Sequence, residues 1–174
     1  MRNTKKVTIS AMATALGAVF LTVGALWEIM DFSLCAFASL LVVFVYIEIG
    51  SPYTWLVWLC TSLISFISFS GSAVWVEYFA VFGIYPILKA YIERMPRVLW
   101  WIFKLAYINA VTVAAIFCIE FLIGVSFFGT DVPMLKVLTY VLVNLAFVAY
   151  DLFLTVLIRL YVTKYRHRFR KFLK

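Results

Sequence analysis

Lys5-Lys6-Val7-Thr8-Ile9-Ser10-Ala11-Met12-Ala13-Thr14-Ala15-Leu16-Gly17-Ala18-Val19-Phe20-Leu21-Thr22-Val23-Gly24-Ala25-Leu26-Trp27 is the stretch on which the reading of the fold turns. A basic knot (Arg2, Lys5, Lys6) precedes an apolar run of about twenty residues, the length of helix that crosses a bilayer core. Ala11, Ala15, Ala18, Thr22 and Ala25 recur in steps of four, three, four and three, which keeps them on one side of a helix. A face of small residues lets another helix approach closely, a main source of helix association where lipid removes the hydrophobic drive. The basic knot sets which way the helix points.

The rest of the chain has the same character. Of its 174 residues, 66% are hydrophobic and only 13% charged, and the mean hydropathy is +1.06. A soluble domain is nearer half apolar and a quarter charged. These values predict one all-α integral membrane domain over residues 1–174, with the bilayer as its solvent. Cys35, Cys60 and Cys118 stand alone in apolar segments, without CxxC or metal-ligand spacing, and read as small core hydrophobes. A cleaved signal peptide also starts basic and turns apolar. Here the apolar stretch is too long for its hydrophobic region, and the chain beyond Trp27 is equally hydrophobic.

Breaks in hydrophobicity predict six spans: 7–27, 33–50, 54–69, 72–89, 99–127 and 134–160. Trp27-Glu28-Ile29-Met30-Asp31 closes the first, and Gly50-Ser51-Pro52 is a turn signal. The third and fourth segments are short, and a single broken or re-entrant element is the alternative for them. With the N-terminus inside, fourteen of the fifteen Lys and Arg fall on the cytoplasmic side, Lys136 being the exception. Four or five spans would put a basic cluster outside. Six spans with both termini cytoplasmic is therefore the expected topology. It leaves residues 161–174 as a basic, aromatic-interleaved tail that anchors orientation on anionic lipid headgroups, with no nucleic acid expected.

Ionisable residues at membrane depth are costly and so are functional candidates. Glu48 reads as snorkelling or paired with a basic linker residue. Lys104 reads as one half of an ion pair with Asp151 or Glu48. In the outer half, Glu77 stands beside Trp75 and Tyr78, Glu120 lies about two turns below its helix end, and Tyr140 and Asn144 share a face at i, i+4. Acids and aromatic faces in a water-accessible cavity suit a cationic or amine-bearing solute. These six are the candidate substrate-binding residues; Glu28, Asp31 and Asp131 read as rim acids facing water. The one histidine, His167, is in the tail, and HExxH, GxSxG and a P-loop are missing. An enzyme is not expected, nor a cofactor or metal site, and any ATP-driven step needs another chain.

Ile9-Ser10-Ala11-Met12-Ala13-Thr14-Ala15-Leu16-Gly17 resembles the opening of the substrate-binding (S) components of energy-coupling factor transporters. Those are small bacterial membrane proteins of about this length, with six helices and cytoplasmic ends. Their first helix carries an Ala-x-x-x-Ala motif that packs against a coupling subunit, and Ala11 and Ala15 match it. The resemblance implies a solute binder of the bacterial cell membrane, with an outer-half pocket built from the first loop and the last three helices. It further implies docking through Ala11, Ala15 and Ala18 to a coupling transmembrane subunit and its ATPases, and toppling to release the solute. Family pockets take vitamins, cofactor precursors or metal ions; no riboflavin, thiamine, biotin or cobalt signature is present here. A non-transport membrane scaffold or assembly factor is the alternative.

Overall fold

The computed structural model describes residues 3–123 and 133–166, and among these it is all-helical, with no strand. The elements are α1 (Asn3–Leu26), a short 3₁₀ turn (Glu28–Met30), α2 (Asp31–Glu48), α3 (Ser51–Ser68), α4 (Val74–Glu77), a π turn (Tyr78–Phe82), α5 (Tyr85–Ile92), α6 (Arg97–Ile123) and α7 (Pro133–Leu160), which runs on into a second π turn (Tyr161–Tyr165). Three segments among the described residues are long and apolar enough to cross a membrane: Asn3–Leu26, Asp31–Glu48 and Val137–Lys164. The chain forms two compact units, one of Met1–Tyr91 with Leu160–Lys174 and one of Ile92–Arg159.

In the first unit, α1 packs on α2 and α3 through Ser10, Ala13, Gly17, Leu21 and Gly24. Steps of three, four, four and three keep those residues on one helix face. The glycines are what let the neighbours in. A Cβ at Gly17 would sit 3.1 Å from Thr61 Cγ2, and one at Gly24 would sit 3.5 Å from the Asp31 Cα and the Leu34 Cβ. This is not the face that the alanine spacing singles out. Ala11 and Ala15 are exposed, and Ala18 is half-buried.

Polarity is arranged inside out. α3 buries Thr54, Thr61, Ser62 and Ser65 and turns Leu56, Leu63 and Ile67 outward, the last at 78% exposure. Met12, Leu16 and Val19 on α1 are likewise exposed, as are Val141, Leu145 and Leu152 on α7. In water this arrangement would expose far more contiguous apolar surface than a monomer carries. In hydrocarbon it is the favourable one, because the apolar side chains meet lipid and the polar ones are withdrawn from it. Thr54 Oγ1 donates to the Gly50 carbonyl at 3.0 Å, Ser62 Oγ to Trp58 at 2.8 Å and Thr22 Oγ1 to Ala18 at 2.8 Å, each one turn back. The helices and their faces are those of a membrane protein.

Turn chemistry explains the boundaries. Gly50 has φ +109°, a conformation that glycine adopts freely, and Pro52 falls in the first turn of α3, where a missing N–H costs nothing. The fourth segment departs from the single helix expected over 72–89. It is helical over Val74–Glu77, widens into the π turn, breaks at Gly83-Ile84 and resumes at Tyr85. Pro86 is the cause of the restart: it stands in the first turn of α5, the place where its fixed φ fits. α5 continues to Ile92, so the polar linker shortens to Glu93–Pro96. Lys89, the last residue of the expected fourth span, is 1% exposed in the interior. The predicted turn over 128–133 lies almost entirely outside the described residues.

Candidate functional site

α4 is a single turn, and three of the six solute-site candidates are on it or beside it. Its start is fixed by packing: Val74 fills the space over Gly24, and its carbonyl accepts the Cys35 thiol at 3.8 Å. Trp75 is held by its indole N–H, which donates to the Ser70 carbonyl at 3.2 Å, and by an edge-on contact with Phe66 at 4.8 Å. Tyr78 is 1% exposed. It is a core residue of this unit.

Glu77 stands between these two aromatics in sequence. Its Oε2 has no solvent-accessible surface and no hydrogen-bond partner among the described residues. Asp31 and Cys35 are its electrostatic neighbours. Asp31 is itself engaged, since its Oδ1 accepts the Phe32 N–H at 2.7 Å at the start of α2, where a negative charge also suits the helix dipole. A carboxylate oxygen buried without a donor lacks the partner that such groups normally have. An ammonium group or another hydrogen-bond donor would supply it. Among the described residues no group of three His, Cys, Asp or Glu is arranged to hold a metal ion.

The other three candidates belong to the second unit. Asn144 Nδ2 donates to the Tyr140 carbonyl at 2.9 Å, one turn back on α7, and to Asn109 Oδ1 on α6 at 3.1 Å. The Tyr140–Asn144 face is thus partly occupied by a bond between helices, and Tyr140 remains 37% exposed. Glu120 is in α6, and its side chain lies outside the described residues, as does that of Glu28; Asp131 lies outside them altogether.

Two polar clusters are more extensive than the sequence indicates. Lys104 does pair with Asp151, its Nζ donating at 2.8 Å and 3.0 Å to the two carboxylate oxygens. It also donates to Glu93 Oε1 at 3.0 Å and has the Trp100 and Trp101 rings 5.9 Å and 5.8 Å away. Glu48 is not its partner. Nor does Glu48 pair with a linker residue: its Oε1 accepts the Tyr161 hydroxyl at 3.1 Å and has Arg166 Nε at 3.9 Å. Glu93 and Tyr161 were missed because Glu93 lies in the turn before α6 and Tyr161 in the π turn after α7, so neither pairing follows from spacing along one helix. The one available signal was that a lysine within an apolar segment has more donors than a single aspartate satisfies.

No protein-family model, curated protein or solved structure matches the chain.

Proposed function

We propose that the chain is the solute-binding subunit of a multi-subunit importer of the S-component type. In this reading six spans (α1, α2, α3, the broken α4–α5 segment, α6 and α7) cross the bacterial cell membrane with both termini cytoplasmic. The protein is not an enzyme; energy comes from a coupling subunit and ATPase subunits docked on α1.

The observation that carries the reading is the division of α1 into two small-residue faces. Ser10, Ala13, Gly17, Leu21 and Gly24 serve the packing within the unit, while Ala11 and Ala15 are exposed. Internal packing therefore gives no reason for the outer pair, and close helix approach is what such a pair permits. Glu77 supports the solute side, because its buried oxygen, without a hydrogen-bond partner among the described residues, is suited to an amine or cation.

Both halves can be tested. Ala11→Trp and Ala15→Trp, placed on an exposed face, should leave the melting temperature within a few degrees of wild type. Either should cut co-purification with co-expressed coupling and ATPase subunits by roughly tenfold or more, through steric exclusion at a close helix contact. Unchanged assembly would rule out docking through this face and leave the scaffold reading. For Glu77→Gln, a panel of amines, vitamins and cations should lose any ligand-induced thermal shift seen with wild type. A shift of equal size in the variant would remove Glu77 from the site.

A further inference from the structure

The Glu48 cluster has features that neither solute binding nor subunit docking uses. Glu48 ends α2, and its side chain is only 5% exposed. Both partners that approach its Oε1 come from the C-terminal end of the chain: the Tyr161 hydroxyl at 3.1 Å and Arg166 Nε at 3.9 Å. One turn earlier on α2, Phe44 meets the Tyr161 ring edge-on at 5.8 Å. Positions i and i+4 of α2 thus grip one tyrosine, through an aromatic contact and a hydrogen bond.

The grip is incomplete at its charged end. At 3.9 Å, Arg166 Nε is beyond hydrogen-bond reach of Glu48. The same Nε is buried without a hydrogen-bond partner among the described residues, although 42% of the arginine side chain is open. The guanidinium therefore has a donor to satisfy and a route to something outside. The turn that carries it is a π turn, closed by the Arg166 N–H on the Tyr161 carbonyl, a geometry used in short pieces and often at functional positions. Lys164, exposed on the same turn, adds a second positive charge.

We propose that residues 161–166 are a releasable strap, held on α2 by Glu48 and exchanged onto the phosphate of an anionic lipid headgroup. A phosphate presents oxygens that an arginine fork can engage in two parallel bonds, which a carboxylate 3.9 Å away does not. Anionic lipid of the cytoplasmic leaflet attracts basic residues next to a span. Once Arg166 turns to a headgroup, the Tyr161 hydroxyl and the Phe44 contact still hold the turn on α2, without the added charge of the arginine. The proposal rests on the membrane reading, with this helix end at the inner interface, and is independent of any solute or coupling partner.

The test uses the full chain in nanodiscs, with the photocrosslinker benzoylphenylalanine in place of Phe44. Capture of the peptide that contains Tyr161 is read by mass spectrometry. In neutral phosphatidylcholine, capture should be efficient in wild type and roughly tenfold lower in Glu48→Leu, as expected for losing a hydrogen bond to a charged group. Phosphatidylglycerol in the discs should lower wild-type capture, though less than Glu48→Leu does because the Tyr161 hydroxyl can stay on Glu48, and Arg166→Gln should give equal capture in neutral and anionic discs while its melting temperature stays at the wild-type value. Capture that is indifferent to Glu48→Leu, or to anionic lipid, would overturn the strap. Inorganic phosphate added to neutral discs should have no effect; release by phosphate alone would assign the exchange to a soluble anion and overturn the lipid as its trigger. Arg166→Gln keeps the Glu48–Tyr161 bond, so its loss of response stands even if Glu48→Leu folds poorly.

Discussion

Lys104→Met should destabilise the second unit by about 3–5 kcal/mol, the cost of leaving a buried carboxylate without its counter-charge. Asp151 is 3% exposed, and both of its oxygens rest on the Lys104 ammonium, at 3.0 Å and 2.8 Å. The bond ties α6 to α7. Glu93 contributes much less to the balance: its side chain is 32% exposed, so solvent screens its contact, and Glu93→Gln should cost below about 1 kcal/mol. The decisive measurement is the double variant. A buried ion pair replaced by apolar groups of similar volume is often neutral or stabilising, so Lys104→Met with Asp151→Leu should regain most of the stability lost by either alone. A coupling energy near zero in that cycle, measured by unfolding in detergent with tryptophan fluorescence, would show that the pair contributes nothing specific. Lys104→Arg should be intermediate, because the planar fork cannot address Asp151 and Glu93 from a single point as an ammonium does.

This pair also shows how far the sequence could be read. Lys104 and Asp151 stood out because charges are rare in the apolar runs that contain them, and scarcity leaves few partners to choose from. Helix existence was legible for a similar reason: runs of about twenty apolar residues, with Gly50 and Pro52 between two of them, admit few alternatives. The internal face of α1 was not legible. Along Ser10–Ala25 nearly every position is small or apolar, so two faces satisfy the small-residue spacing equally well, and only the neighbours decide which is buried. Gly17 opposite Thr61 and Gly24 opposite the start of α2 settle it, through contacts that join distant parts of the chain. Of the solute-site candidates, Tyr78 illustrates the limit of composition. An aromatic beside an acid suggests a binding wall, yet the ring is core. The break at Gly83-Ile84 within the expected span 72–89 was not read from the sequence, and the widening at Tyr78–Phe82 packs on a tryptophan some twenty residues earlier.

That tryptophan gives Gly83→Ala the second large expected effect. A Cβ at Gly83 would lie 2.5 Å from Trp58 Cδ1, 3.0 Å from its Nε1 and 2.8 Å from the Tyr78 carbonyl oxygen. Neither obstacle yields easily. The carbonyl is backbone, already fixed because it accepts the Gly83 N–H at 2.7 Å. Trp58 is pinned from two sides: its indole N–H donates to the Phe79 carbonyl at 3.2 Å, and its ring stacks on Phe79 at 4.9 Å. One methyl group therefore forces either the π turn or the α3 contact to give way. Overpacking of this kind costs about 1–3 kcal/mol, and release of the indole bond adds about 1 kcal/mol more. Gly71→Ala is the matched control, since nothing lies within 4 Å of its added carbon; it should be neutral within about 0.5 kcal/mol. Trp58→Ala in the Gly83→Ala background separates the two obstacles. Removing the ring should recover only part of the loss, because the Tyr78 carbonyl still meets the new methyl. Full recovery would make the tryptophan the sole reason for the glycine, and no recovery would make it the turn alone.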